Sequence, residues 1–412
     1  MTKNYDVIIS GGGLAGQTLG LAVAQYGLSV AIVEYGKIEK TLKPEFDGRA
    51  VALSLAPLQF LASLGLWQVL SPYAMPINDI RIVDGDGLRG ASPMITHFDY
   101  RDIGIKFDKE IHKEKKLYSE RDNQPFGVIV ENRHLRYALI NAIKKQKNIT
   151  LYEEDSILQK NIDDKKIQAT LQTDHILTAP LLVIAEGKMS NLAKSITNFY
   201  ENNYKDTALV LSIKAERHHN GVAVEFFMPA GPFAMLPLVG NKMNVVWTEK
   251  SAMAEKLLKL SPKDFHYQLC QRFTDWLGKI EMIGQVFSYP LVARHAYHYG
   301  KDRQIIIADS AHTIHPIAGQ GFNLGLKDIM ALSDILLTAK HHKQDLGDDM
   351  VIKNYERKRF YDNQKMLLAT DSLHRLFATS HDMAAAMRRL GLLGFDQLSF
   401  LKKKTVRYAM GF

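Results

Sequence analysis

Tyr5-Asp6-Val7-Ile8-Ile9-Ser10-Gly11-Gly12-Gly13-Leu14-Ala15-Gly16 lies near the start of the sequence, and Val30-Ala31-Ile32-Val33-Glu34 follows after a run of small and apolar residues ending near Gly27. The order is strand, Gly-x-Gly-x-x-Gly, helix, strand, acid. Unbroken apolar residues in both strands predict burial on both faces, as in a parallel sheet covered by helices. The three glycines serve different ends. Gly11 permits the tight turn, Gly13 lets a pyrophosphate lie on the helix N-terminus, and Gly16 lets helix and strand pack closely. Glu34, about twenty residues on, is placed to accept hydrogen bonds from the ribose hydroxyls of an adenosine. A glycine-rich turn without a ligand would leave that acid unexplained.

A second stretch works with the first. Ile305-Ile306-Ile307-Ala308-Asp309-Ser310-Ala311-His312 runs into Pro316-Ile317-Ala318-Gly319-Gln320-Gly321-Phe322-Asn323. The isoleucines read as a strand buried on both faces and ending at an acid. The Pro/Gly loop then opens a helix, whose first backbone N–H groups can approach an electron-rich ligand. Read together, the two stretches point to flavin, bound as FAD.

With 412 residues the chain can bury a large core, and its length suggests two or three domains. The first strand begins almost at residue 1, which leaves no room for a signal peptide, and no apolar run approaches the length of a bilayer span. The expected location is cytoplasmic. A lone cysteine, Cys270, excludes an intramolecular disulfide and a Cys-rich metal site. The His218-His219 and His341-His342 pairs read as solvated loop residues with no carboxylate at ligand spacing, so no metal is assigned.

The formal charge of +8 is unevenly placed. From Lys353 to Phe412 twelve Lys/Arg face five acids, a surplus of seven. Within that tail Met383 to Leu401 is largely apolar, broken by Arg388-Arg389 and followed by Lys402-Lys403-Lys404. Two readings stand: a helix lying on an anionic membrane surface or a partner, or a C-terminal helix packed on the core with a solvated basic end. Nucleic acid is disfavoured, because no recognition motif accompanies the charge.

No repeat or low-complexity linker divides the chain. Leu181-Leu182-Val183-Ile184-Ala185 shares the buried character of the first strand, so one sheet is expected from distant segments. Residues 207 to 250 read instead as short strands with turns at His219-Asn220-Gly221, Pro229-Ala230-Gly231 and Gly240-Asn241, an antiparallel sheet of hairpins inserted into the first domain. The charge-rich stretch from Asp108 to Asn123 reads as an exposed loop.

These residues resemble a known family. Gly11 to Gly16 with Glu34, Asp47-Gly48-Arg49-Ala50-Val51-Ala52-Leu53, Glu131-Asn132-Arg133-His134-Leu135, Gly231-Pro232-Phe233-Ala234-Met235-Leu236-Pro237-Leu238 with Val246-Trp247, and Asp309 to Asp328 are similar to the flavin-dependent aromatic hydroxylases with the para-hydroxybenzoate hydroxylase fold. The His315 to Leu326 run, the Gly-Pro-x-Ala-x-Leu-Pro-Leu segment and the ending Arg407-Tyr408-Ala409-Met410-Gly411 resemble their ubiquinone-biosynthesis branch. The resemblance implies an α/β fold: a Rossmann-like FAD-binding domain (1–75, 126–190, 286–345), an inserted antiparallel-sheet substrate domain (76–125, 191–285) and a C-terminal helical basic tail (346–412).

It also implies roles. Arg49 would contact the FAD diphosphate, Asp309 the ribityl chain, and Gly319, Gln320, Gly321, Phe322 and Asn323 would lie against the flavin ring, where the helix N-terminus stabilises negative charge on the reduced isoalloxazine. Arg133, at a helix start, either binds cofactor or pairs with a neighbouring carboxylate. Pro316 is matched to a proline whose carbonyl faces the substrate side of the flavin, and is preferred, with Gly319 and Gln320, over His312 and His315 as the catalytic contact; His312, after a buried strand, reads as structural. Phe226, Leu236 and Pro237, with Met228 and Trp247, are candidates for an apolar substrate wall, although strand alternation should put only about half of them on the pocket face.

The implied reaction is hydroxylation of the aromatic ring of a polyprenylated ubiquinone precursor through a flavin hydroperoxide, with O2 as co-substrate and NAD(P)H or another donor supplying electrons. A prenylated substrate gives the basic tail a use, as a peripheral contact with the inner face of the membrane or with a quinone-biosynthesis complex. Three positions depart from the family: Glu186 for Asp, Ala193 where an arginine is usual, with Lys194 one place late, and Ala308 for Gly. The alternatives are an FAD-binding scaffold protein of a quinone-synthesis complex and another flavoprotein oxidoreductase of the same fold. The Trp-x-Trp-x-Ile-Pro signature of halogenases is absent.

Overall fold

A computed structural model describes residues 2–85, 91–99, 125–228, 230–272 and 275–378. The expected loop at Asp108 to Asn123 and the tail features from Met383 onward lie outside the described residues.

A parallel sheet forms the base of the molecule. Its strands run, from edge to edge, Gly300–Lys301, Gln304–Ile306, Leu181–Ile184, Val7–Ser10, Val30–Glu34 and Ile149–Glu153. All neighbours are parallel except the short hairpin at Gly300–Lys301. The central strands are apolar because they are covered by other elements: Val7, Ile8, Ile9, Val30, Ala31 and Ile32 are fully buried in one core with Leu19 and Leu139 of helices and with Ile167, Leu171 and Leu177 of a separate four-stranded sheet. The Leu14–Gln25 helix packs on this sheet through Gly20, where a Cβ would stand 2.7 Å from Ile32 Cδ1.

A second sheet stands over the strand ends. Its order is His312–Thr313, Ile280–Ala296, Phe199–Ala215, Lys242–Lys250, Gly231–Leu238, Val222–Met228, Asp79–Gly85 and Ala91–Asp99. Hairpins build its middle, as the sequence predicts, but Val222–Met228 pairs in parallel with Asp79–Gly85. The all-antiparallel expectation is corrected there: the partner strand arrives from a segment far earlier in the chain, so no tight turn fixes its direction.

The two faces of this sheet differ, as period-two alternation requires. Leu209, Phe233, Met235, Met243, Val245 and Trp247 form one core with Leu257, Phe265 and Leu269 of the Ser251–Leu258 and Pro262–Cys270 helices. Ala208, Val210, Ala234, Leu236, Val246 and Thr248 face the opposite way, into a cavity.

Two long helices close the described structure, Gly321–His341 and Asp349–Ala378. They are joined to the strand that ends at Ile306 by Asp328, whose fully buried carboxylate accepts from the Ala308 amide (3.0 Å), Arg359 Nε (2.8 Å) and Asn363 Nδ2 (3.0 Å), and pairs with His312 Nε2 at 2.5 Å. Burial alone would favour the neutral acid, but the charges of His312 and Arg359 hold this carboxyl well below the usual range.

Candidate active site

The glycine turn has the form its sequence predicts. Gly11 sits at φ +107°, and a Cβ there would meet the Ala185 carbonyl oxygen at 2.4 Å; one at Gly16 would meet the Gly11 carbonyl oxygen at 1.8 Å. Gly13 differs, since nothing lies within 4 Å of its Cβ position. The open side of the turn is therefore the side on which the helix begins, and no side chain caps that helix. Free N–H groups at a helix start beside open space fit a pyrophosphate. Glu34 ends its strand beside this turn, with Oε2 accepting from the Gly12 amide (2.6 Å) and Oε1 from the Gly36 amide (3.1 Å).

Arg49 comes from the segment before the Ala50–Ser54 strand. Its Nε and NH2 form a fork on Asp47, each at 2.9 Å, and its guanidinium lies 5.0 Å from the Tyr289 ring centroid. Asp47 also accepts from Arg136 (2.7 Å) and Asn132 (3.1 Å). Burial opposes ionisation of Asp47, yet Arg49 and Arg136 outweigh it and hold the carboxyl far below its ordinary value. One acid shared by two arginines leaves net positive charge at the site, and the Arg49 side chain remains half exposed on the cavity wall. That is a fitting anchor for a diphosphate.

Arg133 instead donates from NH2 to Glu131 Oε2 at 3.0 Å. Burial raises the Glu131 pKa, but hydrogen bonds from His134 and Arg133 bring it down to about 2. Arg133 thus forms the carboxylate pair, and its buried Nε, without a hydrogen-bond partner, leaves a donor for the cofactor contact that is the other expectation.

A cavity of about 1150 Å³ lies between the second sheet on one side and, on the other, the paired Ala50–Ser54 and Gly127–Glu131 strands with the segment from Asp309 to Asn323. Arg49, Asp309, Pro316, Gly319, Gln320 and Asn323 line one side of it, and Leu236, Ala234, Phe227, Val246, Ile80 and Ile82 the other. Gly319 adopts φ +62°, and the Pro316 carbonyl accepts from its amide at 3.0 Å. Asn323, buried, ties this loop to the Ala50–Ser54 strand through Ser54 N (3.1 Å) and Ala52 O (2.7 Å). Gly321 opens the following helix, while Phe322 packs against the main core rather than the cavity.

On the substrate wall, Leu236 faces the cavity. Phe226, Met228 and Trp247 belong to the core on the far face, and Pro237 is not part of the cavity lining. The wall falls instead to Phe227, Ala234, Val246 and Thr248, the residues of opposite parity.

One lining residue was not singled out from the sequence. Glu225 stands between the apolar Ile82 and Ala234 on neighbouring strands, and no hydrogen bond or ion pair of a described residue reaches its carboxyl. Burial alone pushes its pKa up to about 8. The signal was present: in Val222-Ala223-Val224-Glu225-Phe226-Phe227-Met228 an acid interrupts an apolar strand at the parity of Ala223 and Phe227.

The departures from the family also have structural settings. Glu186 accepts from Ser10 Oγ (2.5 Å) and Ser190 Oγ (2.6 Å), which ties the first strand to the loop after Leu181–Ile184. Ala193 is fully buried behind Ser190, so an arginine could not occupy this place without displacing the turn, and Lys194 is exposed. His312 is held by Asp328, which makes it structural. His315 is buried with neither ring nitrogen hydrogen-bonded. Burial, then the neighbouring His374 and Lys250, bring its pKa to about 3, so it stays neutral.

The histidine pairs that looked solvated require one correction: His219 is fully buried, its ring held by the Leu238 carbonyl and the Gly221 amide. A different group, Asp206, His315 and His374, gathers ligand-type atoms within 4.8 Å of one another. These residues lie far apart in sequence, beyond the reach of a spacing rule. Lys250 Nζ already occupies Asp206 Oδ1 at 2.7 Å.

The base sheet, its glycine turn and the cavity beneath the second sheet define a flavoprotein of the aromatic-hydroxylase type. The FAD binding domain family profile matches residues 4–370. The ubiquinone hydroxylase UbiL of Rhodospirillum rubrum is 37% identical over 99% of this chain and 90% of its own length. The 3-demethoxyubiquinol 3-hydroxylase of Escherichia coli is 27% identical over 98% of both chains. Among solved structures, the p-nitrophenol 4-monooxygenase PnpA of Pseudomonas putida superposes with a TM-score of 0.77 over 99% of this chain and 98% of its own, at 15% identity, a likeness of fold. The chain belongs to the FAD-dependent ring hydroxylases of the ubiquinone-hydroxylase family.

Proposed function

We propose that this protein hydroxylates the aromatic ring of a polyprenylated ubiquinone precursor, with O2 as co-substrate and NAD(P)H or another donor as the source of electrons. The observation that carries the reading is the cavity, because one continuous space joins the Arg49, Asp309 and Gly319 side to an apolar wall. FAD, when bound, supplies electron transfer and oxygen activation.

The chain's own residues account for the rest. Gly11, Gly13 and Gly16 shape the turn that receives the pyrophosphate, Glu34 accepts from ribose, Arg49 balances diphosphate charge, and Asp309 accepts from ribityl hydroxyls. Pro316, Gly319 and Gln320 border the ring side, with the start of the Gly321–His341 helix offering N–H groups to negative charge. Leu236, Phe227, Ile80 and Ile82 give a prenylated ring a dry place and exclude water from the reacting atoms. No helix of the described residues is long and apolar enough to cross a membrane, so delivery of such a lipid substrate falls in this reading to the basic tail, at the membrane surface or a biosynthetic complex.

Mass spectrometry of prenylated quinone intermediates in cells lacking the gene tests the proposal. A precursor short of one hydroxyl should accumulate, and its structure identifies the ring position. An unchanged quinone profile, in cells without a redundant hydroxylase, sinks it.

A further inference from the structure

Glu225 is the feature that the cofactor site and an apolar wall leave unexplained. The Val222–Met228 strand puts it on the cavity side, and its neighbours across the sheet are Ala234 and Ile82. The rows on either side of it fix its place. Ala223 lies one row toward Leu236 and Asn244, and Asn244 Nδ2 donates to the Gly48 carbonyl beside Arg49. Phe227 lies one row the other way and packs with Ile317 of the Pro316–Asn323 loop. Glu225 is thus in mid-wall, between the cation of the proposed cofactor site and the loop of its ring side.

A carboxyl without a partner in an apolar wall is costly to the fold unless something it meets there repays it. Among the described residues, the other titratable groups lining the cavity are Arg49, Lys188, Tyr289 and Asp309, and none contributes to its raised pKa. Among the described side chains, the Asp349–Ala378 helix presents Leu373, Leu376 and Phe377 to the cavity. The Glu225 carboxyl, which no described residue engages, is therefore available to a polar group of the ligand. A hydroxylated aromatic ring carrying an apolar tail has this profile, with a single O–H among carbon.

We propose that Glu225 binds the ring hydroxyl of the phenolic substrate and takes its proton during hydroxylation, a role that rests on the function proposed above. The phenol O–H bond breaks and an O–H bond forms at a carboxylate oxygen. The electron pair left on the phenolate raises electron density at the ortho and para carbons. Oxygen transfer, with the oxidant supplied by the flavin reaction, then gives the keto tautomer of the product. The ring carbon loses its hydrogen to solvent as a proton, Glu225 returns its own proton to the carbonyl oxygen, and the aromatic diol and the carboxylate are restored. A general base with a pKa near the working pH suits such a transfer.

The FAD-loaded wild type and Glu225→Gln are compared with 2-geranylphenol as probe between about pH 6 and about pH 9.5, reading kcat and KM separately, with FAD content per chain measured alongside. For the wild type kcat/KM should rise with pH and level off above about 8. In Glu225→Gln, with FAD content unchanged, kcat should fall by about 100-fold and the rise in kcat/KM should be lost; Glu225→Asp should restore part of both. A Gln variant with a wild-type profile and a kcat within about threefold overturns the role while leaving ring hydroxylation intact. A wild type that holds FAD but hydroxylates neither the probe nor the precursor that accumulates in gene-deleted cells overturns the function itself, and this role with it.

Discussion

Ala308 holds a left-handed backbone, φ +51°, without being glycine. For an L-residue that conformation costs about 1–2 kcal/mol, and here it persists because the Ala308 amide is fixed by Asp328 and the turn must aim Asp309 at the cavity. The Ala308 methyl also fills the space beside Gly325, where a Cβ would stand 2.9 Å away. Glycine at 308 relieves the backbone but loses the methyl and gains unfolded-state entropy, so Ala308→Gly should stay within about 1 kcal/mol of wild type in urea denaturation. Ala308→Val adds a β-branch to a left-handed residue beside Gly325 and should lose at least about 2 kcal/mol.

Glu225 makes its own residue-scale prediction, separate from catalysis. Its pKa is higher in the fold than in the unfolded chain, so between about 4.5 and about 8 the folded state holds the extra proton. Stability therefore falls as pH rises through that window, by up to about 1.4 kcal/mol per pH unit, and by less where water enters the cavity. Glu225→Gln should remove this component, and denaturation midpoints of the two proteins should converge at the acid end and diverge, in favour of the variant, toward pH 8. A constant offset across the window would show that the carboxyl stays ionised in the fold.

At the scale of elements, one buried carboxylate joins three of them. Asp328 is on the Gly321–His341 helix, His312 and Ala308 lie in the turn that presents Asp309, and Arg359 and Asn363 are on the Asp349–Ala378 helix. Asp328→Ala leaves Arg359 and His312 buried without their acid, and should cost about 3–5 kcal/mol in urea denaturation. FAD affinity should fall as well, because the turn that carries Asp309 loses its anchor. The folded-state pKa of Asp328 is depressed, so its contribution is present above about pH 3.8 and is lost as pH falls below that value.

Elements also explain what the sequence reading located and what it missed. The strand–turn–helix unit at Val7 to Gln25 and the loop opening the Gly321–His341 helix are local, and their glycines, burial pattern and terminal acids are visible in consecutive residues. The wall residues depend on parity along single strands, where a shift of one position exchanges Phe226 for Phe227. Hydrophobicity could not choose between them. Glu225, which could have, is informative only once the strand around it is known to face a cavity.

Over the whole molecule, the proposed cofactor contacts come from three distant segments: around Gly13 and Asp309, which follow two strands of the base sheet, and around Arg49, which precedes a strand of another sheet. A ligand joining them should stabilise the fold by mass action, by about 2.7 kcal/mol at one hundred times its Kd. The melting temperature of the deflavinated protein should therefore climb with added FAD, and Arg49→Ala should need more FAD for the same rise. A melting temperature indifferent to FAD would contradict the cofactor site.

Consecutive residues were enough to establish the parallel base sheet, the glycine turn, the acid at Glu34 and the Pro/Gly loop, because each is written in short-range patterns that the backbone obeys locally. They carried the family as well. The parallel pairing of Val222–Met228 with Asp79–Gly85, the engagement of Arg133 with Glu131, the burial of His219 and the solitary Glu225 in the wall emerged only from the folded arrangement. Each of those depends on which residues from remote segments arrive next to one another, and desolvation and pairing energies are set by that meeting rather than by the residue or its sequence neighbours.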